Sequence, residues 1–213
     1  MTLREKCSKL PKVLEELYPE AKCSLNASND YELLFATRLS AQCTDARVNI
    51  VTKDLFAKFD TLEKFANANV ADVEECIKSC GLYKSKAKDL VKSANTLINE
   101  FDGKVPNNME DLLKLAGIGR KTANLILGDI YGEPAIIADT HCIRISNRLG
   151  LVTNTTDPLQ VEKILKKNIA KKYQTKLCHR FVHFGREYCK AQSPKCAICP
   201  ITEYCKYFKK ENK

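Results

Sequence analysis

The sequence predicts an all-α protein, on three observations. Apolar residues recur at helical spacing along most of the chain, and cap-forming residues stand ahead of those stripes. Only residues 135–138 (Ala-Ile-Ile-Ala) resemble a strand, and four residues cannot build a sheet.

Taken in order, Leu3, Leu10, Val13, Leu14 and Leu17 give an amphipathic first helix over residues 3–17. A connection through Pro19 and the polar run 26–29 leads to a helix from about Asp30 to Ala41, with Leu33, Leu34, Thr37 and Ala41 on its face. Thr44 caps a helix reaching about Lys58, and Thr61 a short one after it. Residues 70–80 read as helical and stop at Gly81, taken as the residue that closes a helix end. Ser85 opens the clearest stripe, Ala87, Leu90, Val91, Ala94, Leu97, Ile98 and Phe101, which Asp102-Gly103 ends. Pro106 keeps the next connection short and extended. Ala123, Ile126, Leu127, Ile130 and Tyr131 then mark one helical face. Further helices are expected over 140–149, closed by Gly150, from Asp157-Pro158 through Ile169, and from about Thr175 to Cys189.

No run of eighteen apolar residues is present, so no membrane span is expected, and the N-terminus lacks the apolar core of a secretory signal. The formal charge of +9 points to a polyanionic partner, although many solvated surfaces are this basic. Eleven cysteines is an odd number, and seven of them are scattered, several within apolar helical patterns. That distribution suits free thiols in a reducing compartment better than a disulfide framework, and a cytoplasmic location is expected.

Two stretches carry candidate chemistry. In LAGIGRKTAN, Gly117 and Gly119 form a turn that opens a helix, whose first N–H groups lack intrahelical partners beside the positive end of the helix dipole. Such a site suits a phosphate. Lys121 lies in the first turn of that helix, and Asp139 follows the extended run 135–138. Each feature has an ordinary reading: Gly-x-Gly is more often only a turn, such a lysine is usually solvated, and an Asp before Thr is often a helix cap. The second stretch is Cys189-x6-Cys196-x2-Cys199-x5-Cys205, with Pro194 and Pro200 making it a tight loop. Four thiolates at this density suit tetrahedral zinc or an iron–sulfur cube, and spacing alone slightly favours zinc.

The cysteine spacing together with LAGIGRKTAN and ADTH resembles the endonuclease III family of DNA glycosylases. LSAQCTD (39–45), GLYKSKA (81–87) and FGREYC (184–189) resemble further family blocks in the same order, so the similarity covers nearly the whole chain. The resemblance implies a two-lobed helix-hairpin-helix glycosylase fold with a cleft, residues 23–132 forming one lobe and 1–22 plus 133–213 the other. It also replaces zinc: Cys189, Cys196, Cys199 and Cys205 become ligands of a C-terminal [4Fe-4S] cluster. The implied partner is double-stranded DNA carrying damaged pyrimidines or abasic sites, met by a monomer in the cytoplasm, on the nucleoid when bound.

The implied chemistry is removal of oxidised pyrimidines followed by AP-lyase strand cleavage through a lysine Schiff base. A neutral amine is needed for attack, whereas lysine ordinarily titrates near about 10.4. The positive helix end and partial desolvation push Lys121 the right way. Asp139 matches the family aspartate, with Thr140 and His141 as supporting or capping neighbours. Base extrusion leaves a gap in the duplex, and by the same match Gln42 and Leu82 are wedge candidates. Gly117, Gly119, Arg120, Lys190 and Lys195 complete the expected DNA contacts, and Asp45 and Arg144 are pocket or phosphate candidates. The basic residues of the cysteine loop have a second reading, offsetting the charge of four thiolates.

The chain departs from the family at Ala116, where many relatives have proline. A common glutamate just before the hairpin also gives way to Leu113, Lys114 and Leu115. The nearest rival is a mispaired-adenine glycosylase; Lys121 and the end of the chain at Lys213 weigh against it. A non-catalytic cluster-bearing DNA-binding or redox-sensing protein is the rival of another class, and it has no need of Lys121 together with Asp139.

Overall fold

A computed structural model describes residues 1–211, and every regular element in that range is helical. The α-helices are α1 (Leu3–Leu17), α2 (Asp30–Leu39), α3 (Asp45–Lys58), α4 (Leu62–Ala66), α5 (Val70–Ile77) and α6 (Tyr83–Phe101). They continue as α7 (Met109–Leu112), α8 (Arg120–Asp129), α9 (Thr140–Leu149), α10 (Pro158–Asn168), α11 (Gln174–Glu187) and α12 (Lys206–Glu211). The chain divides into two units, Ser24–Tyr131, and Met1–Cys23 with Gly132–Lys213. None of the described helices is long and apolar enough to cross a membrane.

In the unit of residues 24–131, α2, α4 and α5 pack on the long helix α6. Its core joins Leu34, Leu55, Val73, Ile77, Leu90 and Leu97 to an aromatic group centred on Phe65. Phe35 meets Phe65 edge-on at 5.0 Å between ring centroids, a favoured geometry for the ring quadrupoles. Asn29, Thr44 and Thr61 cap their helices through side-chain oxygens, as their residue types predict. Lys86 is wholly buried, and its Nζ donates to the carbonyl of Leu39, the last residue of α2, at 2.8 Å. A cation there answers the negative end of the α2 dipole.

Several expectations need correction. Helix α5 ends at Ile77, and Gly81 does not have a positive φ; the left-handed residue is Leu82, with α6 beginning at Tyr83. Gly81 is glycine because a Cβ would stand 3.1 Å from the backbone oxygen of Gln42. The connection after Pro106 contains α7, four residues long and too short to show a stripe in sequence. Helix α8 ends before Ile130 and Tyr131, and it buries Ala123, Asn124, Leu125 and Ile126. Both α2 and α7 pack on it, so more than one face is covered.

In the other unit α9 is central, contacted by α10, α11 and α12, while α1 packs on α11. Asp157 caps α10 ahead of Pro158, and Gly150 closes α9 with φ of 72°. Residues 135–138 are buried and belong to no helix or strand. Helix α11 supplies the missing hydrogen bonds: Ala135 N–H donates to Thr175 Oγ1 at 3.3 Å and Ile137 N–H to Cys178 Sγ at 3.2 Å. Among the described residues, α12 after the cysteine loop had no sequence expectation.

His183 of α11 stacks on Tyr18, ring centroids 5.9 Å apart. Burial first, then Arg186 and His179, hold it below the usual histidine value of 6.5. The fold thus favours the neutral ring, and that stability is complete above pH 6.5 and lost as pH falls through the lowered value. A His183→Phe variant keeps the stack, and its melting temperature is expected to fall less than that of the native protein between about pH 7 and about pH 5.

Candidate functional site

The hairpin Leu115-Ala116-Gly117-Ile118-Gly119 joins α7 to α8. Ile118 N–H closes the turn on Leu115 O at 3.2 Å, and Gly117 takes φ of +69°, a conformation glycine adopts without a Cβ penalty. Gly119 is the N-cap of α8, no side chain caps that helix end, and nothing lies within 4 Å of where its Cβ would be. Uncapped N–H groups in open space beside a positive dipole end form an anion-binding geometry. Arg120 and Lys121 are the first two residues of α8, both exposed. The desolvation expected at Lys121 is therefore not supplied by the protein's own packing. Of the three residues just before the hairpin, Leu113 is 44% exposed, Lys114 is exposed and Leu115 is buried.

Gln42 and Leu82 sit in the same unit as the hairpin, and both have left-handed backbone, with φ of 54° and 59°. Such conformations cost free energy in non-glycine residues and persist where surrounding structure imposes them. Their loops touch, as the close approach of Gly81 to the Gln42 carbonyl shows. Burial together with the neighbouring Cys43 thiol pushes Cys80 up to about 11. Both Gln42 and Leu82 are exposed, Leu82 by 56%. Asp45 is engaged by Ser24, whose hydroxyl donates to Oδ2 at 2.7 Å.

In the other unit, Asp139 is the N-cap of α9; its Oδ1 accepts from Cys142 N–H at 2.7 Å, which leaves Oδ2 as the second oxygen of the carboxylate. Thr140 is exposed, and His141 Nδ1 lies 3.0 Å from Arg144 Nη2. Gly185 of α11 makes room for this pair, since a Cβ there would come 2.3 Å from His141 Nδ1. Arg144 donates to Cys189 O at 3.1 Å and to Thr140 O at 3.4 Å, which ties α9 to the cysteine loop. Sequence reasoning missed Arg148, one turn on. It donates to Cys189 Sγ at 3.3 Å, Lys190 O at 2.6 Å and Ala191 O at 2.9 Å, and lies over the Tyr207 ring. The available signal was the spacing of two arginines one helical turn apart behind a cap aspartate.

Cys189, Cys196, Cys199 and Cys205 line one cavity, whose wall is otherwise largely apolar through Leu149, Phe184, Pro194, Ile201 and Phe208. Burial pushes the Cys199 thiol up, and Cys189, Cys205 and Cys196 add to that. A cationic centre binding here would replace the Cys199 proton that burial favours. Among the described residues, no group of three or more His, Cys, Asp or Glu gathers closely enough to hold a metal ion. Thiols spread around one wall fit a cluster with separate corner irons, each taking one cysteine. Lys190 and Lys195 are exposed on this loop.

Two family models match the chain, one across both units and one at the cysteine loop. The family described as "HhH-GPD superfamily base excision DNA repair protein" matches residues 35–171, and "Iron-sulfur binding domain of endonuclease III" matches 189–205. Endonuclease III of Bacillus subtilis (strain 168) is 43% identical over 198 residues, covering 93% of this chain and 90% of that protein. Endonuclease III of Rickettsia conorii is 42% identical over 201 residues, covering 94% and 95%. Among solved structures, a trapped endonuclease III–DNA covalent intermediate superimposes with a TM-score of 0.93 at 41% identity, with 100% of both chains covered. A thermostable thymine-DNA glycosylase, 20% identical over 97% of this chain and 98% of its own, shares the fold with a TM-score of 0.87. The all-helical architecture is thus the HhH-GPD fold, the cysteine loop is the site of a [4Fe-4S] cluster, and the chain belongs to the endonuclease III family.

Proposed function

We propose that Lys121 is the nucleophile and Asp139 the assisting carboxylate of a bifunctional DNA glycosylase and AP lyase acting on oxidised pyrimidines in base excision repair. The observation that carries this reading is the placement of Lys121 in the first turn of an uncapped helix behind an open glycine hairpin. An amine there stands beside a backbone geometry suited to phosphate. Lys121 is exposed, so the exclusion of water around it falls to bound DNA rather than to the protein core.

The neutral Lys121 amine attacks C1′ of the damaged nucleotide while the C1′–N bond breaks and the base leaves with its electron pair and a proton. Loss of the amine proton and opening of the sugar give a Schiff base. Removal of a C2′ proton then expels the 3′ phosphate by β-elimination, and water hydrolyses the imine to release the lysine. Asp139, through the oxygen not committed to the helix cap, stabilises positive charge at the sugar or carries protons. A covalent DNA complex has been trapped in a relative of this fold, in keeping with a nucleophilic step.

Gln42 and Leu82 fill the space left by the extruded nucleotide; strained, exposed residues on touching loops suit that task. Gly117, Gly119 and Arg120 hold the backbone at the lesion, and Lys190 and Lys195 add phosphate contacts. Cys189, Cys196, Cys199 and Cys205 would hold the cluster, which would supply a structural staple for the loop that carries Lys190 and Lys195. The hairpin unit reads the lesion and the unit of residues 1–23 and 132–213 carries the cluster. The protein acts as a monomer on double-stranded DNA, in the cytoplasm on the nucleoid.

Borohydride added during reaction with an abasic duplex is expected to give a covalent adduct with the native protein and none with Lys121→Ala; equal yields would remove the nucleophile assignment. Leu82→Gly relieves left-handed strain, so its melting temperature should stay within a few degrees of the native value, about 1 kcal/mol either way. Its rate of thymine glycol excision should nevertheless fall at least about tenfold, about 1.4 kcal/mol of lost stabilisation. Cys199→Ser should abolish the broad visible absorption of the cluster, and Arg148→Met should shorten the time for an iron chelator to bleach it. A colourless, zinc-loaded native protein would contradict the cofactor.

A further inference from the structure

Arg38, near the end of α2, and Asp89, in the second turn of α6, pair directly beneath the hairpin. Arg38 Nε and Nη2 both donate to Asp89 Oδ2, at 2.9 and 2.6 Å, and the two side chains are only 13% and 21% exposed. Gly117 lies against the pair: a Cβ there would fall 2.2 Å from Arg38 Nε and 2.5 Å from Asp89 Oδ2. One turn along α6, Ser93 Oγ donates to Ala116 O at 3.2 Å. Two helices thus present three polar side chains to two consecutive residues of the turn. Neither residue is stiff by itself, since Gly117 is the most permissive residue type and Ala116 has no ring to fix φ.

We infer that the Arg38–Asp89 pair, with Ser93, positions the hairpin backbone for its grip on DNA. These are positioning residues, and the inference rests on the hairpin reading given under Proposed function. A turn left to order itself on binding would spend binding free energy on its own conformational entropy, whereas a turn held in advance does not. The pair is not a phosphate contact: its net charge is zero, and two of the Arg38 nitrogens are committed to one carboxylate oxygen. Glycine at 117 is required twice over, by its φ and by the flat approach to the guanidinium.

The test uses the full cluster-bearing chain, with Asp89→Asn, Arg38→Met and the double variant. Affinity is measured on a duplex containing a tetrahydrofuran abasic analogue, and borohydride-trapped adduct formation is timed at saturating abasic duplex. Each single variant should bind about tenfold more weakly and the double no worse than the weaker single, because one device is broken either way. The rate at saturation should stay within about twofold, since Lys121 chemistry is intact once DNA is seated. A pair that merely holds the fold would lower the melting temperature without changing affinity, and that result overturns the inference. Asp89→Asn binding tighter than native also overturns it, because the freed Arg38 would then be acting as a cation toward phosphate. Should these variants melt early or lose visible absorption, Arg38→Lys and Ser93→Ala make the same test; unchanged affinity in both overturns it. A native protein giving no trapped adduct would sink the lysine Schiff-base reading, while a normal native adduct with unaffected variants sinks only the positioning role.

Discussion

The unit that carries the hairpin depends on a buried cation. Lys86 has no exposure to water, yet its ammonium reaches the last carbonyl of α2 while its backbone belongs to the first turn of α6. Burial pulls its pKa down, with partial recovery from Cys80 and Cys43. A lone buried ammonium is costly, and this one is tolerated because a helix C-terminus offers both an acceptor and a negative dipole end. The consequence is geometric. The end of α2 and the start of α6 are held together, and the two loops beyond them, with Gln42 and Leu82 at their tips, are brought into contact.

A second dependence runs along α9. Its N-terminus is capped by Asp139, and its outer turns carry Arg144 and Arg148, which reach the carbonyls and sulfur of residues 189–191. One rigid helix therefore connects the carboxylate to the first cysteine of the cluster loop. On the other side, α11 fixes the residues leading into Asp139 through Thr175 and Cys178. Asp139 is thus held from both sides, with Oδ1 committed to the helix cap.

Local chemistry was legible in the sequence, and long-range chemistry was not. Asn29, Thr44, Thr61 and Asp157 all cap the helices assigned to them, and Gly150 closes α9 with the expected backbone. The four cysteines drew attention by spacing, and they do line one cavity. Leu82 shows the limit: nothing in its residue type announces a left-handed backbone, because neighbouring loops impose it, and Gly81 was the natural but mistaken choice. Arg148 and the Arg38–Asp89 pair went unread for a related reason, since their partners lie about 40 to 50 positions away in the chain and no periodicity records such a meeting. Lys121 looked like one of many surface lysines, and the structure leaves it on the surface; the family blocks around it supplied the distinction.

The left-handed backbone at Gln42 and Leu82 also limits which side chains these loop tips can evolve to carry. At positive φ, a residue branched at Cβ clashes with its own backbone, whereas one with a methylene at Cβ is merely uncomfortable. Valine, isoleucine and threonine are thereby barred from both positions by stereochemistry before any contact with DNA is considered. Long unbranched or γ-branched chains such as glutamine and leucine remain open. Substitution at these two loop tips is confined to that narrower alphabet.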